Sequence, residues 1–268
     1  MGLAEKPAAA YDRCLRLPSV DTMMASPIDP LFKVALIAAT PNPQQCVYAG
    51  MHQDYAEEFA ADMRHEWPDE TRAGEICVKR LLAGERGHYG PLEHAQIVLN
   101  VGWFPHSVMQ QARTHRVGVS FDVQSMRYTG ERICRAANGE LSIEEVFYLR
   151  PVGRYHDRQG KSYEYTLSQR NTDLELCLDA AQRYAQLIDQ GYAEEHARGI
   201  LPFDYRQHFV VSFTLRAFLH FLDLRAKLDA QLEIRQLCDL MWPHLQQWTP
   251  EIAGWYEKSR LHKARLAP

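Results

Sequence analysis

"HAQIVLNVGWFPHSVMQQARTH", His94 to His115, changes its period part-way along, and that change decides the fold. The first half places Ile97, Leu99, Val101 and Trp103 on one face of an extended chain, the pattern of a half-buried strand. Pro105 fits the first turn of a helix, where its missing N–H leaves no bond unmade, and "PHSVMQQARTH" continues as that helix. Working outward, "LFKVALIAAT" (Leu31 to Thr40) reads as a buried strand ended by the turn-forming "PNPQQ". Asp54 to Trp67 reads as a helix with Tyr55, Phe59 and Met63 at helical spacing. Thr71 to Ala83 is a second, with Ile76, Leu81 and Leu82 inward and Gly84 or Gly87 to stop it. In the other direction, Lys161 to Gln190 is a long amphipathic helix closed by Gly191, and "YAEEHARGI" is a short one before Pro202. "HFVVSF" is a strand, and "LRAFLHFLDLRAK" and "AQLEIRQLCDLMWPHLQQW" are helices. No internal repeat, low-complexity segment or linker interrupts this order, so one α+β domain over residues 31–268 is expected. A Pro-, Ala- and Ser-containing extension over residues 1–30 precedes it.

At 268 residues with 46% hydrophobic and 24% charged side chains, the chain has the composition of an ordinary globular protein. Its net charge of −4 gives no global attraction to a polyanion, so nucleic-acid binding would need a local patch. The six cysteines are scattered without a C-x-x-C pair, against a zinc ribbon or a dithiol redox site. "MGLAEKPAAAYDRC" lacks the apolar core of a secretion signal, and no apolar run reaches transmembrane length. A cytoplasmic protein with no membrane partner and no metal is expected.

The helix that opens at Pro105 delivers "ARTHRVGVSFDVQSMRYTGER", in which Arg113, His115, Arg116, Arg127 and Arg132 crowd together. Read as a strand, "SFDVQSMRY" has no consistently apolar face. Hydroxyl and amide side chains beside arginines are the groups that donate to phosphate oxygens, but a solvated basic loop fits the segment equally. Two other stretches bear on it. "RGHYGPLEH" sets His88, Glu93 and His94 just before the strand, either as a surface turn or as part of a site, without a tight zinc spacing. In "FTLRAFLHFLDLRAKLDAQLEI", Arg216, His220 and Arg225 punctuate an apolar helical pattern. An arginine near a core face needs an anion or an acid, and Asp229, four residues on, could pair with Arg225.

Together these stretches resemble the flavin-dependent thymidylate synthases, the ThyX type, whose signature is Arg-His-Arg, seven residues, then Ser and an Arg-Tyr pair. Here the order is Thr114-His115-Arg116, eight residues, then Ser125, Met126, Arg127 and Tyr128. Agreement continues through His88, Glu93, Gln111, Arg198 in "ARGILP", and Arg225 followed by Gln231 and Glu233, across roughly residues 80–240. Thr114 replaces the first arginine, with Arg113 beside it, while Val123 and Thr214 stand where glutamate and asparagine are usual. These departures mark a variant subgroup.

The resemblance implies a central antiparallel or mixed sheet flanked by long helices, assembled as a homotetramer with active sites between subunits. It implies reductive methylation of dUMP to dTMP, with methylenetetrahydrofolate as carbon donor and FAD, reduced by NADPH, as hydride source. Gln111, Arg113, Gln124, Ser125, Met126, Arg127, Arg198 and Arg225 would hold dUMP. Arg198 would come from a neighbouring subunit, and Arg225 would be the catalytic group that activates the uracil. His88, Glu93, Thr114, His115, Arg116, Thr214, Arg216 and His220 would face FAD. No cysteine stands in a motif that would activate it as a nucleophile; Cys134, between Arg132 and Arg135, is the nearest candidate and reads as incidental. Two other readings stay open on the residues alone: a binder of single-stranded nucleic acid with Phe121 and Tyr128 as a thin stacking platform, and a relative that binds dUMP without turnover.

Overall fold

The computed structural model describes residues 27–84, 87–157 and 159–263, so most of the expected extension over residues 1–30 lies outside the described residues. Its first elements are β1 (Lys33–Ala39), α1 (Pro43–Gln53) and α2 (Glu70–Cys77), the last continued by one π turn over Val78–Leu82. A 3-10 turn at Gly90–Glu93 leads into β2 (Gln96–Pro105), α3 (His106–Ala112), β3 (Val119–Val123), α4 (Met126–Thr129) and α5 (Glu131–Ala137). The second half holds β4 (Gly153–His156), β5 (Ser162–Tyr165), α6 (Leu167–Asp189), α7 (Glu194–Ala197), β6 (Arg206–Thr214), α8 (Leu215–Arg225), α9 (Leu232–Trp248) and α10 (Pro250–Ser259).

Four strands form one antiparallel sheet in the order β1-β2-β6-β3, and β4 pairs with β5 as a separate hairpin. The two central strands carry the period-two apolar residues. Ile97, Leu99 and Val101 on β2 and Phe209, Val211 and Phe213 on β6 are buried in one core with Phe218, Leu219 and Phe221 of α8 and Ile234 and Leu237 of α9. Each such side chain contributes on the order of 1.5–3 kcal/mol when fully buried, so the pairing of β2 with β6 under α8 is where the fold is secured. A second cluster, with Ile133, Phe147, Ala181 and Tyr184, packs α5 against α6.

The outer elements correct the sequence reading. β1 is an edge strand, and Leu36 and Ile37 are exposed rather than buried. Pro43 opens a helix at its first turn, with Asn42 left-handed before it (φ 47°), where a turn alone was expected. The helix expected over Asp54–Trp67 is absent except for a 3-10 turn at Asp62–Glu66, and Tyr55 and Phe59 are exposed, so their helical spacing marked no buried face. Trp103 leaves the apolar row of β2 because the register shifts between Val101 and Phe104; Trp103 takes φ 69° and Phe104 fills the core instead. α6 starts at Leu167, not Lys161. Thr166 caps it, accepting from Gln169 N at 3.3 Å while Gln169 Oε1 accepts from Thr166 N at 2.9 Å, and the residues before it pair in the hairpin. α10, which follows Pro250, was not read from the sequence. No helix among the described residues is long and apolar enough to cross a membrane.

Candidate active site

A cleft of about 300 Å³ opens between the loop after α3 and the exposed side of α8, with Thr114, His115 and Arg116 on one wall and Ala217, His220 and Arg225 on the other. The strand-to-helix junctions explain why these residues meet. β2 runs directly into α3, whose end carries Gln111 to Arg116, and β6 runs directly into α8 beside it. Thr214 caps α8, its Oγ1 accepting from Ala217 N at 3.2 Å, and its own N–H donates to Gly118 O at 2.8 Å, which closes the loop over the helix start. Gly118 has φ 66°, and a Cβ there would meet Thr214 Oγ1 at 2.5 Å, so only glycine fits this approach.

Arg225 is held by three neutral acceptors. Its Nε donates to His115 Nε2 at 3.0 Å, and its Nη2 donates to Gln111 O at 3.2 Å and Thr114 Oγ1 at 2.7 Å. No carboxylate pairs with it among the described residues, so the Arg225–Asp229 pair left open by the sequence is not formed. Nη1 has no protein partner there. Burial draws the guanidinium below its ordinary value. The bond from Arg225 also assigns the His115 tautomer: Nε2 must be bare to accept. Burial, then the charge of Arg225 and the neighbouring His220, pull the His115 pKa down to about 4, so the ring is neutral at physiological pH. His220 stands 5.6 Å from His115 between ring centroids and is lowered by burial and by Arg216.

This makes a pH prediction. Between pH 6.5 and about 4 the unfolded chain carries a proton on this imidazole that the folded chain does not, so stability falls as pH falls across that window. Wild type is expected to lose about 2 kcal/mol more than His115→Gln between pH 7 and pH 5 in urea denaturation. Equal losses would contradict the buried neutral ring.

Glu93 sits at the other end of the cleft loop, accepting from Thr214 Oγ1 at 2.9 Å and Arg216 Nη1 at 3.2 Å. His88 is not drawn in: its Nε2 lies 2.7 Å from Asp54 Oδ2 at an exposed position. Arg113 is exposed, and Thr114 rather than Arg113 makes the contact with Arg225.

The remaining site residues form a second group beyond β3. Gln124 is anchored by its backbone to β6, its N–H donating to His208 O at 2.9 Å. Ser125 caps α4, Met126 is buried behind it, and Arg127 projects outward to Glu195 Oε2 at 3.6 Å, close in sequence to the exposed Arg198. No hydrogen bond or ion pair joins this group to the cleft among the described residues. Val119 lines the cleft and Val123 precedes the second group, and the strand between them spans about 13 Å. Within one chain the two groups are therefore separate.

Behind Gln111, sequence reasoning noted Gln231 and Glu233 without a role and missed Arg150 and Tyr148, which bind Glu233. An arginine directly after the apolar run "VFYL" was the available signal. All five cysteines among the described residues are raised by burial, Cys134 further by Asp189, so none is a ready thiolate. Among the described residues, no three His, Cys, Asp or Glu side chains gather as a metal site.

The sequence and the fold match known proteins. The family described as thymidylate synthase complementing protein matches residues 35–251. The chain belongs to that family. It is 32% identical over 248 residues to a flavin-dependent thymidylate synthase of Halobacterium salinarum, covering 88% of this chain and 100% of the relative. A flavin-dependent thymidylate synthase of Haloarcula marismortui is also 32% identical, over 88% of this chain and 99% of its own. Among solved structures, the fold matches a UMP/dUMP methylase, PolB, from Streptomyces cacaoi, with a TM-score of 0.71 at 21% identity over 90% of this chain and 98% of that one.

Proposed function

We propose that this protein is a flavin-dependent thymidylate synthase that methylates dUMP to dTMP. Its carbon donor is methylenetetrahydrofolate, its cofactor FAD, and its reductant NADPH. The observation that carries the reading is Arg225: a half-buried guanidinium, fixed by three neutral acceptors and paired with no acid among the described residues, is a cation prepared for a ligand. The cleft also fits FAD by its donors. Arg116 on the cleft wall supplies charge for a diphosphate, His115 is neutral and His220 is lowered toward neutrality beside it, and Glu93 is already engaged by Thr214 and Arg216. Bound FAD supplies the redox chemistry, which leaves the chain to bind, orient and polarise.

Arg225 has the charge to favour loss of the uracil N3 proton. Gln111 stands beside it as a substrate contact, with Arg113 as an exposed auxiliary cation. Gln124, Ser125, Met126, Arg127 and Arg198 form the phosphate end of the dUMP site, and the two groups meet across a subunit interface. Val117 beside the cleft and Tyr128 beside Arg127 are both exposed, and such an interface would cover them. The assembly we propose is a cytoplasmic homotetramer built from the 31–268 domain. His88 would reach FAD only on leaving Asp54.

Arg127 offers a direct check of the phosphate role. Its exposed pair with Glu195 contributes only about 0–1 kcal/mol, so a phosphate dianion can displace it. Arg127→Ala is expected to weaken dUMP binding about 10- to 100-fold by calorimetry, through loss of charge-assisted bonds, with the melting temperature unchanged. Unchanged dUMP affinity would remove Arg127 from the site.

A further inference from the structure

Gln111 is backed by a run of side chains whose order is fixed by chemistry. Its Nε2 donates to Oε1 of Gln231. Gln231 Nε2 donates to Glu233 Oε2 at 2.7 Å and to Ser107 Oγ at 3.3 Å. Glu233, only 1% exposed, also accepts from Arg150 Nε at 2.7 Å, Arg150 Nη2 at 3.2 Å and the Tyr148 hydroxyl at 3.1 Å. Arg150 Nη1 donates in turn to the Tyr163 hydroxyl on β5 at 3.1 Å, which ties the run to the hairpin.

An ionised carboxylate only accepts, so Glu233 takes the amide nitrogen of Gln231 and turns its carbonyl oxygen toward Gln111. That oxygen in turn takes the amide nitrogen of Gln111, and Gln111 Oε1 is left without a protein partner among the described residues. A free glutamine side chain would sample both amide orientations and several rotamers; here one is selected before any ligand arrives. Burial opposes the Glu233 charge, but Arg150 and the Gln231 amide outweigh it and hold the carboxyl below its ordinary value, so the arrangement does not change near neutral pH.

We propose that Glu233, acting through Gln231, is a positioning residue that sets the Gln111 amide for the nucleotide. The inference rests on the reading of Gln111 as a substrate contact.

The test is a double-mutant cycle on the FAD-loaded protein: wild type, Gln231→Ala, Gln111→Ala and the double variant, with dUMP affinity by calorimetry and turnover at saturating dUMP. Gln231→Ala leaves the Glu233–Arg150 pair in place, so it breaks the relay without stranding a buried charge. Each single change is expected to weaken dUMP about tenfold, the loss for Gln231→Ala falling on dUMP affinity rather than on turnover at saturating dUMP, and the double variant to bind no more weakly than Gln111→Ala. Glu233→Gln, in which a neutral amide no longer dictates the order, is expected to repeat the loss. Losses that multiply in the double variant, or Gln231→Ala binding as tightly as wild type, would overturn the proposal while leaving the enzyme reading intact. A wild-type protein that does not bind dUMP would overturn that reading and this inference with it.

Discussion

Arg225→Ala is expected to lower dTMP formation about a thousandfold while the protein folds and retains FAD. The size follows from the charge. A guanidinium about 4 Å from the developing uracil anion, at an effective dielectric near 20, contributes about 4 kcal/mol, and each 1.4 kcal/mol is tenfold in rate. That charge is undivided because its partners in the protein are an imidazole, a hydroxyl and a backbone carbonyl. Arg225→Lys is expected to recover little, since one ammonium cannot reproduce a planar fork that bonds His115, Gln111 and Thr114 while leaving Nη1 free. Turnover assays and thermal melts on the same preparations decide it. Near-normal turnover by Arg225→Ala would remove the residue from the mechanism.

Asp223→Ala is expected to act on the fold instead. Asp223 lies on α8 two residues before Arg225 and is buried, accepting from Arg260 Nη2 at 2.8 Å, Arg260 Nε at 3.2 Å and the Tyr256 hydroxyl at 2.9 Å. These bonds fasten α8 to α10 and its C-terminal end. Removing Asp223 deletes the buried carboxylate that Arg260 and the Tyr256 hydroxyl both bond, at a cost of about 3–5 kcal/mol. For a chain of this size the melting temperature should drop by about 10 °C. A drop of only one or two degrees would mean that α10 is held by its apolar contacts alone. The two variants separate chemistry from scaffold on one helix: Arg225→Ala costs activity and Asp223→Ala costs stability.

The central strands were legible because burial on one face leaves a period of two, and β2 and β6 both show it. The strand-to-helix switch at Pro105 was legible for the same reason, as was α8, whose apolar pattern is broken by Arg216 and, on its cleft side, by His220 and Arg225. The periphery was not. Tyr55 and Phe59 sit at helical spacing in a segment with no core to face, and Leu36 and Ile37 form an apolar strand at an uncovered edge. Within one sequence such residues cannot be told from core residues, because apolar side chains on a surface follow the same spacing rules. The helix start at Leu167 depended on a cap at Thr166 and on a hairpin formed just upstream, which a smooth amphipathic pattern hides. In the site, the identities of His115, Arg116, Arg216, His220 and Arg225 came from a resemblance of motifs, and the structure adds that His115, Arg116, His220 and Arg225 share one cleft while Arg216 pairs with Glu93. That Arg225 pairs with His115 rather than Asp229 could not be read, since the two residues are far apart in the chain and meet only when β2 and β6 pair. Nor could the separation of the two groups of residues, which follows from the length of β3.

The most direct test is the visible absorption spectrum of the purified protein, recorded before and after addition of dUMP. The expected result is a yellow protein whose flavin bands shift when dUMP is added, which would put both ligands in contact within one site. A protein that stays colourless after incubation with FAD would contradict the account at its centre.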